Sequence, residues 1–188
     1  TSPLYHDGTV IGALCVTRRI SDRPTPSDRQ LVSWSAETLS HVIHRLRSLQ
    51  EIEKQAREDG LTGLSNRRTF DLQLAREIAA LRDGSRLEFS LLLLDIDRFK
   101  SVNDKYGHLV GDEVLRATAG VLREQRARMR SDEPAHLARY GGEELAVLLP
   151  GVGVNGALRI AETLRLAIAA QTIVSQEAKL KVTVSIGV

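Results

Sequence analysis

The chain has 188 residues, 42% of them hydrophobic and 27% charged, with a formal net charge of +2. That length allows one full domain and part of a second in an ordinary globular balance, and the near-neutral charge argues against a bulk grip on nucleic acid, so no nucleic-acid partner is expected. A single cysteine, Cys15, excludes an intrachain disulfide, and no apolar run approaches the ~20 residues that span a bilayer.

The start carries no signal-peptide layout, so the segment is read as cytoplasmic, without membrane contact of its own. Residues 3–19 are expected to form a β-hairpin, because Asp7-Gly8 is a strong turn dipeptide between two short apolar runs. A turn-rich stretch, 21–26, follows, and Ser27 and Asp28 are candidate N-caps for a helix over about 28–57. Within that helix Leu39, Val42, Leu46 and Leu49 form a short a/d stripe. Such a helix either packs on its own domain or joins a second copy in a parallel coiled coil, and so short a stripe leaves both readings open.

A second domain begins near Asp59. Its turn, 59–68, leads into a helix over 66–82, and Phe89–Ile96 is a strand apolar on both faces over 91–94. Residues 107–128 read as mostly helix. Strands over 137–140 and 144–149 are joined by Gly141-Gly142, and an amphipathic helix over 155–170 precedes a last strand over 180–188. The chain therefore divides into a hairpin region, 1–27, a linker helix, 28–58, and a domain, 59–188. It opens inside a strand pair and closes on a strand, so a piece of a larger protein is expected. The element order suggests an α+β fold: a mostly antiparallel central sheet with flanking helices, on the ferredoxin-like βαββαβ plan.

Three clusters carry possible chemistry. Asp95-Ile96-Asp97 ends an apolar strand with carboxylates at i and i+2, hence on one face. An acid at the end of a buried strand is costly unless compensated. A hard divalent cation would compensate it, since Mg²⁺ uses one or two protein carboxylates plus phosphate oxygens and water. The alternative is a pair of acids that simply marks the surface. In Arg139-Tyr140-Gly141-Gly142-Glu143-Glu144 the glycines suit a tight hairpin with positive φ, and they let a phosphate approach. If the neighbouring strand is the one ending at Asp95, then Asp95 and Glu143 can share a metal; otherwise this is a solvated surface hairpin. The third cluster runs from Asn103 and Asp104 through His108 to Gly111 and Asp112. A carboxylate accepts from guanine N1–H and the 2-amino group, a carboxamide pairs with another edge atom, and a site built this way rejects adenine. Helix capping is the competing role for Asn103 and Asp112. His108 has no other ligand at zinc spacing.

Taken together, Asp59-x-Leu61-Thr62-x-Leu64-x-Asn66-Arg67, Asp95-Ile96-Asp97-x-Phe99-Lys100, Asn103-Asp104-x-Tyr106-Gly107-His108-x-x-Gly111-Asp112 and Arg139-Tyr140-Gly141-Gly142-Glu143-Glu144 resemble the GGDEF diguanylate cyclases over residues 59–188. The resemblance implies a nucleotidyl cyclase-like fold and condensation of two GTP molecules into cyclic di-GMP and two pyrophosphates. It implies Asp95, Glu143 and the Ile96 carbonyl as ligands of Mg²⁺ or Mn²⁺, two ions per site. Asp95, Glu143 and Glu144 would form the catalytic centre, with the role of Glu144 left open. Asn103 and Asp112 would read guanine. Backbone amides around Phe99 and Lys100, with the Lys100 side chain, would meet the triphosphate, and His108, Gly141 and Gly142 would complete the substrate-binding set. One GTP per domain implies a two-fold homodimer of facing catalytic domains, set by the linker helix. Residues 3–45 resemble the end of a GAF sensor domain through Pro3-Leu4, Asp7-Gly8, Ile11-Gly12-Ala13-Leu14 and Pro26-x-Asp28-x-x-Leu31. That implies regulation by an N-terminal sensor.

Leu145 stands where the family usually has Phe, and a modest packing change is expected there. No Arg-x-x-Asp occurs over 126–134, where family members under product control carry one. Arg128, Arg130 and Asp132 offer only an irregular version, so strong product inhibition is not expected. The chain also stops before the family's C-terminal Lys/Arg phosphate motif. Two other readings stand beside an active cyclase: a GGDEF-like module that binds GTP or cyclic di-GMP without catalysis, and a purely structural dimerisation unit.

Overall fold

The structure, a computed structural model, describes residues 1–6, 8–17, 25–128, 134–175 and 179–188. They fall into two units, residues 1–56 and 57–188. In the first, β1 (Ser2–His6) pairs antiparallel with β2 (Thr9–Leu14), and Gly8 takes the left-handed turn position at φ 75°. Asp7, the other half of the expected turn, lies outside the described residues, as do 21–24. α1 spans Pro26–Arg57. Its cap differs from both expected residues. Asp28 Oδ2 accepts from Thr25 N (2.9 Å) and Thr25 Oγ1 (2.7 Å), while Asp28 N–H donates to Thr25 Oγ1 (3.2 Å). This reciprocal box places the cap at Thr25, ahead of Pro26 at the first helical position, where a missing N–H costs nothing. On the hairpin side Ala36 is buried, and Tyr5 N–H donates to Ser40 Oγ (3.1 Å). Leu39, Val42, Leu46 and Leu49 face outward, 40–55% exposed.

The second unit contains β3 (Ser65–Asn66), α2 (Arg67–Arg82), β4 (Phe89–Ile96), α3 (Phe99–Tyr106), α4 (His108–Arg128), β5 (His136–Arg139), β6 (Glu144–Pro150), α5 (Val154–Ala170), β7 (Ile173–Val174), β8 (Lys179–Leu180) and β9 (Val184–Gly187). The five-stranded sheet has the order β3-β5-β6-β4-β9. β3 runs parallel to β5, and the other neighbours are antiparallel. β4-α-β5-β6-α5-β9 is the expected βαββαβ plan, with β3 added at one edge.

Period-2 alternation builds both faces. Leu92, Leu94 and Ile96 of β4 and Leu145, Val147 and Leu149 of β6 join Val114, Leu115 and Leu122 of α4 and Leu164 and Ile168 of α5 in the main cluster. The alternate residues Ala146 and Leu148 turn the other way, onto Phe70 of α2. Leu145, in the family's Phe position, is fully buried. The structure departs from expectation in two elements. Residues 99–106 form a separate helix, α3, because Gly107 (φ 81°) ends it with its N–H on Asn103 O (2.8 Å) before α4 starts. The expected last strand is divided, with β8 paired to β7 and only β9 on the main sheet.

Candidate active site

β4 and β6 run antiparallel until Asp95 stands directly opposite Glu144. Both point to the face opposite the main cluster and both are exposed. Like charges opposed across two strands are destabilising, so a cation is favoured between them. Glu143, half-buried, is the last residue of the hairpin before β6. The buried Ile96 follows Asp95 at the end of β4, its side chain in the core and its carbonyl at the strand terminus. The expected neighbour relation between the Asp95 strand and the Gly-Gly hairpin is therefore present.

Of the two reasons expected for the glycines, positive φ is found at neither Gly141 nor Gly142. Gly141 is instead a place of close approach: a Cβ there would collide with Glu144 Oε2, which folds back over it. Tyr140 N–H and Gly141 N–H both donate to Glu144 O, at 2.8 and 3.2 Å, closing the turn. Arg139 holds it from outside. Its Nε donates to Gly141 O (3.2 Å) and Gly142 O (3.0 Å), and its Nη2 to Gly142 O (2.8 Å).

The same guanidinium reaches back 80 residues to Asp59, with Nη1 at 3.2 Å from Oδ2 and 3.4 Å from Oδ1. Asp59 Oδ1 also accepts from Thr62 N (2.9 Å) and Thr62 Oγ1 (2.7 Å), bracing the turn at the start of the unit. Burial pushes the Asp59 carboxyl up, but the Thr62 hydrogen bonds and the Arg139 charge outweigh it and hold the group below its ordinary value. Tyr140 is fixed separately, under Arg67 (4.6 Å to the ring centroid) and edge-on to Phe70. The sequence motifs contain both Asp59 and Arg139 without assigning either a role. The local signal was the Asp-x-x-Thr spacing, which bonds to its own backbone; nothing local announced the distant arginine.

A second convergence lies on α3 and α4. Gly111 is buried, and a Cβ there would collide with Asn103 Oδ1 and press on the Phe99 ring. Asn103 is thus laid across α4 one residue before the half-buried Asp112. Phe99 is itself buried, while Lys100 is exposed near the start of α3. His108 is exposed at the first residue of α4.

Asp97 behaves unlike Asp95. Its Oδ1 accepts from Ser185 Oγ (2.6 Å), its Oδ2 from Thr183 Oγ1 (2.5 Å), and its N–H donates to Thr183 O (3.0 Å). The Ser185 and Thr183 hydroxyls, with the Arg98 charge, outweigh the small effect of burial and keep its carboxyl below the usual range. It anchors the segment leading to β9. Among the described residues no group of three or more His, Cys, Asp or Glu side chains is gathered to hold a metal by itself. The donors at the hairpin are hard oxygens, few in number, and a cation that completes its shell with phosphate and water fits such a set. Arg128 is exposed at the end of α4, while Arg130 and Asp132, the rest of the irregular product-site candidate, lie outside the described residues.

A family model described as "Diguanylate cyclase, GGDEF domain" matches residues 56–188. The chain belongs to the GGDEF family. Its GGDEF domain is 42% identical over 141 residues to diguanylate cyclase DgcP of Pseudomonas aeruginosa, a match covering 74% of this chain and 20% of that protein. Diguanylate cyclase DgcM of Escherichia coli K12 is 41% identical over 155 residues, covering 78% of this chain and 35% of that one. The chain thus spans well under half of these relatives. Among solved structures, the coiled coil and GGDEF domain of DgcB from Caulobacter crescentus, in complex with c-di-GMP, aligns with a TM-score of 0.71 at 29% identity, covering 87% of this chain and 82% of that one. The sheet and helices of residues 57–188 are those of a GGDEF domain, a nucleotidyl cyclase fold.

Proposed function

We propose that this chain is the catalytic part of a diguanylate cyclase, which condenses two GTP into cyclic di-GMP and two pyrophosphates. The observation that carries the reading is the register of β4 against β6, which sets Asp95 opposite Glu144 beside Glu143. Asp95, Glu143 and the Ile96 carbonyl would hold Mg²⁺ or Mn²⁺, two ions per site. Bound there, the ions would lower the pKa of the attacking hydroxyl and neutralise charge on the leaving group. Asn103, held over Gly111, and Asp112 read the guanine edge. The first amides of α3 and the Lys100 side chain meet the triphosphate. Gly141 and Gly142 let phosphate pass close to the hairpin, with Arg139 fixing the turn. The 3′-oxygen of one GTP forms a bond to the α-phosphorus of the other. The bond to the bridging oxygen breaks, its electron pair leaves with pyrophosphate, and the hydroxyl proton passes to solvent or to a hairpin carboxylate.

One domain holds one GTP, so the active form is a two-fold homodimer. The outward Leu39, Val42, Leu46 and Leu49 stripe of α1 supports a parallel coiled coil as the element that sets it. We read residues 1–27 as the end of a GAF-like sensor domain, residues 28–58 as the signalling helix and residues 59–188 as the cyclase. Among the described residues no helix is long and apolar enough to cross a membrane. The reading places the module in the cytoplasm, where GTP is supplied. Incubation with GTP and Mg²⁺, followed by chromatography, tests it. Wild type should give cyclic di-GMP and Glu143→Gln none; GTP binding without product from wild type would leave only the non-catalytic module.

A further inference from the structure

One side of α1 carries titratable groups that the proposed chemistry does not use. A part-open cavity of about 480 Å³ lies between β1 and α1, lined by Tyr5 and His6 from the strand and by Glu37, Ser40, His41 and His44 from the helix. Positions 37, 41 and 44 are four and three residues apart, so they share one face of α1. His6 meets that face directly: its ring lies 5.0 Å from the His44 ring, centroid to centroid, at an interplanar angle of 59°. A hydrogen bond runs between the same two elements, from Tyr5 N–H to Ser40 Oγ at 3.1 Å, and Ser40 Oγ donates in turn to Ala36 O at 2.7 Å.

The charges around the ring pair are few among the described residues. β2 brings no titratable group to it. β1 brings Tyr5 and His6, and Asp7 after them lies outside the described residues. On α1 the cavity holds Glu37 and His41, while Arg47 and Glu51 follow on the same side of the helix, about one and two turns beyond His44. One carboxylate therefore shares the cavity with three imidazoles. Imidazole is the side chain whose charge ordinarily changes between about pH 5 and 8. Two neutral rings tilted against each other pack as aromatic surfaces. Once both carry a proton they are like charges at about the same separation, and they repel.

We propose that His6 and His44 form an acid-sensitive clasp, which holds β1 on α1 while the rings are neutral and opens when both are protonated. The contact is complete above the range in which imidazoles take up protons and is lost as pH falls through it. Ser40 and His44 lie about half a turn round α1 from the outward Val42 and Leu46, so opening strips the hairpin from one side of the helix and leaves the exposed stripe as it was. α1 runs on to Arg57, the first residue of the second unit, which makes the clasp a proton input to the helix that leads there. Nothing in it depends on the cyclase reading.

NMR of the whole chain tests the clasp through the cross-peak between the Tyr5 amide and the Ser40 side chain. In wild type it should weaken about fivefold or more from pH 7.5 to pH 5.5, a span inside the range where imidazoles titrate. The midpoint of that loss should coincide with the titration of the His6 and His44 ring protons. In His44→Gln and in His6→Gln only one ring of the pair can become charged, and the change over the same span should stay under about twofold. A wild-type cross-peak that holds or strengthens in acid, a midpoint away from both ring titrations, or equal weakening in the variants would overturn the proposal. If a variant lacks the contact already at pH 7.5, the wild-type midpoint decides. A parallel loss of cross-peaks between β4 and β6 would mean unfolding of the whole chain and would count equally against the clasp.

Discussion

Ala36 is the sole buried hydrophobic residue among those described in residues 1–56, whereas residues 57–188 close apolar clusters on both faces of one sheet. The long helix of the first unit turns Leu39, Val42, Leu46 and Leu49 outward. The second unit buries β6 and the inner face of β4 by itself, leaving Leu93 on the outer face exposed, and its candidate acids sit at the end of that strand pair. The contrast teaches a division of labour. On the proposed reading, chemistry lies on the sheet of the second unit and the control of pairing on a helix whose apolar stripe is exposed among the described residues of the first.

The largest expected effect separates chemistry from folding within the second unit. Glu143→Gln should lower turnover by roughly a thousandfold or more, the loss expected when a metal-held charge is removed. Its melting temperature should stay near that of wild type, because Glu143 lies in the hairpin and outside both clusters. A parallel fall in stability would break the separation. Next comes a pair of leucines. Leu148→Ala, in the core, should cost about 2–5 kcal/mol in denaturant unfolding. Leu46→Ala, on the open stripe, should change unfolding of the monomer little and weaken self-association, read by ultracentrifugation.

Arg139→Ala should cost about 2 kcal/mol, since it removes charged hydrogen bonds to Asp59 and to two hairpin carbonyls. The pH dependence follows from the same contact. Asp59 and Asp97 are held below their ordinary pKa, so their contribution is present above the usual carboxylate value. It is lost as pH falls through the lowered one. Acid melts of Asp59→Asn should therefore fall less steeply below about pH 4 than those of wild type. The smallest effect sharpens the base-reading flank. Gly111→Ala should displace Asn103 and raise KM for GTP about tenfold, a loss on the scale of one polar contact, with kcat less affected.

The sheet plan was legible because its strands and helices are long and strongly periodic. Leu145 to Leu149 alternates between two buried faces, and Leu164 and Ile168 sit one turn apart on α5. α3 was not, since its helical spacing of Phe99, Val102 and Tyr106 spans only eight residues, a window too short for the period to decide. The approach of the Asp95 strand to the hairpin was readable as a condition and needed the register to be met. The Asp59–Arg139 bridge and the Asp97 contacts to Thr183 and Ser185 were not readable, because their partners lie 80 to 88 residues away. Of the two reasons expected for the glycines, torsional freedom is not used, whereas close approach is met at Gly141, where the missing Cβ leaves room for Glu144 Oε2.

The central claim is that each chain supplies one complete set of hairpin acids and that product needs two such chains. Wild type mixed with Glu143→Gln at constant total concentration, after subunit exchange, measures both at once. The account predicts that cyclic di-GMP formation follows the square of the wild-type fraction, so an equal mixture gives about a quarter of the undiluted rate, because only the two-fold pair of intact sites closes both linkages. A rate that falls in simple proportion to the wild-type fraction, or undiluted wild type that makes no product, would contradict it.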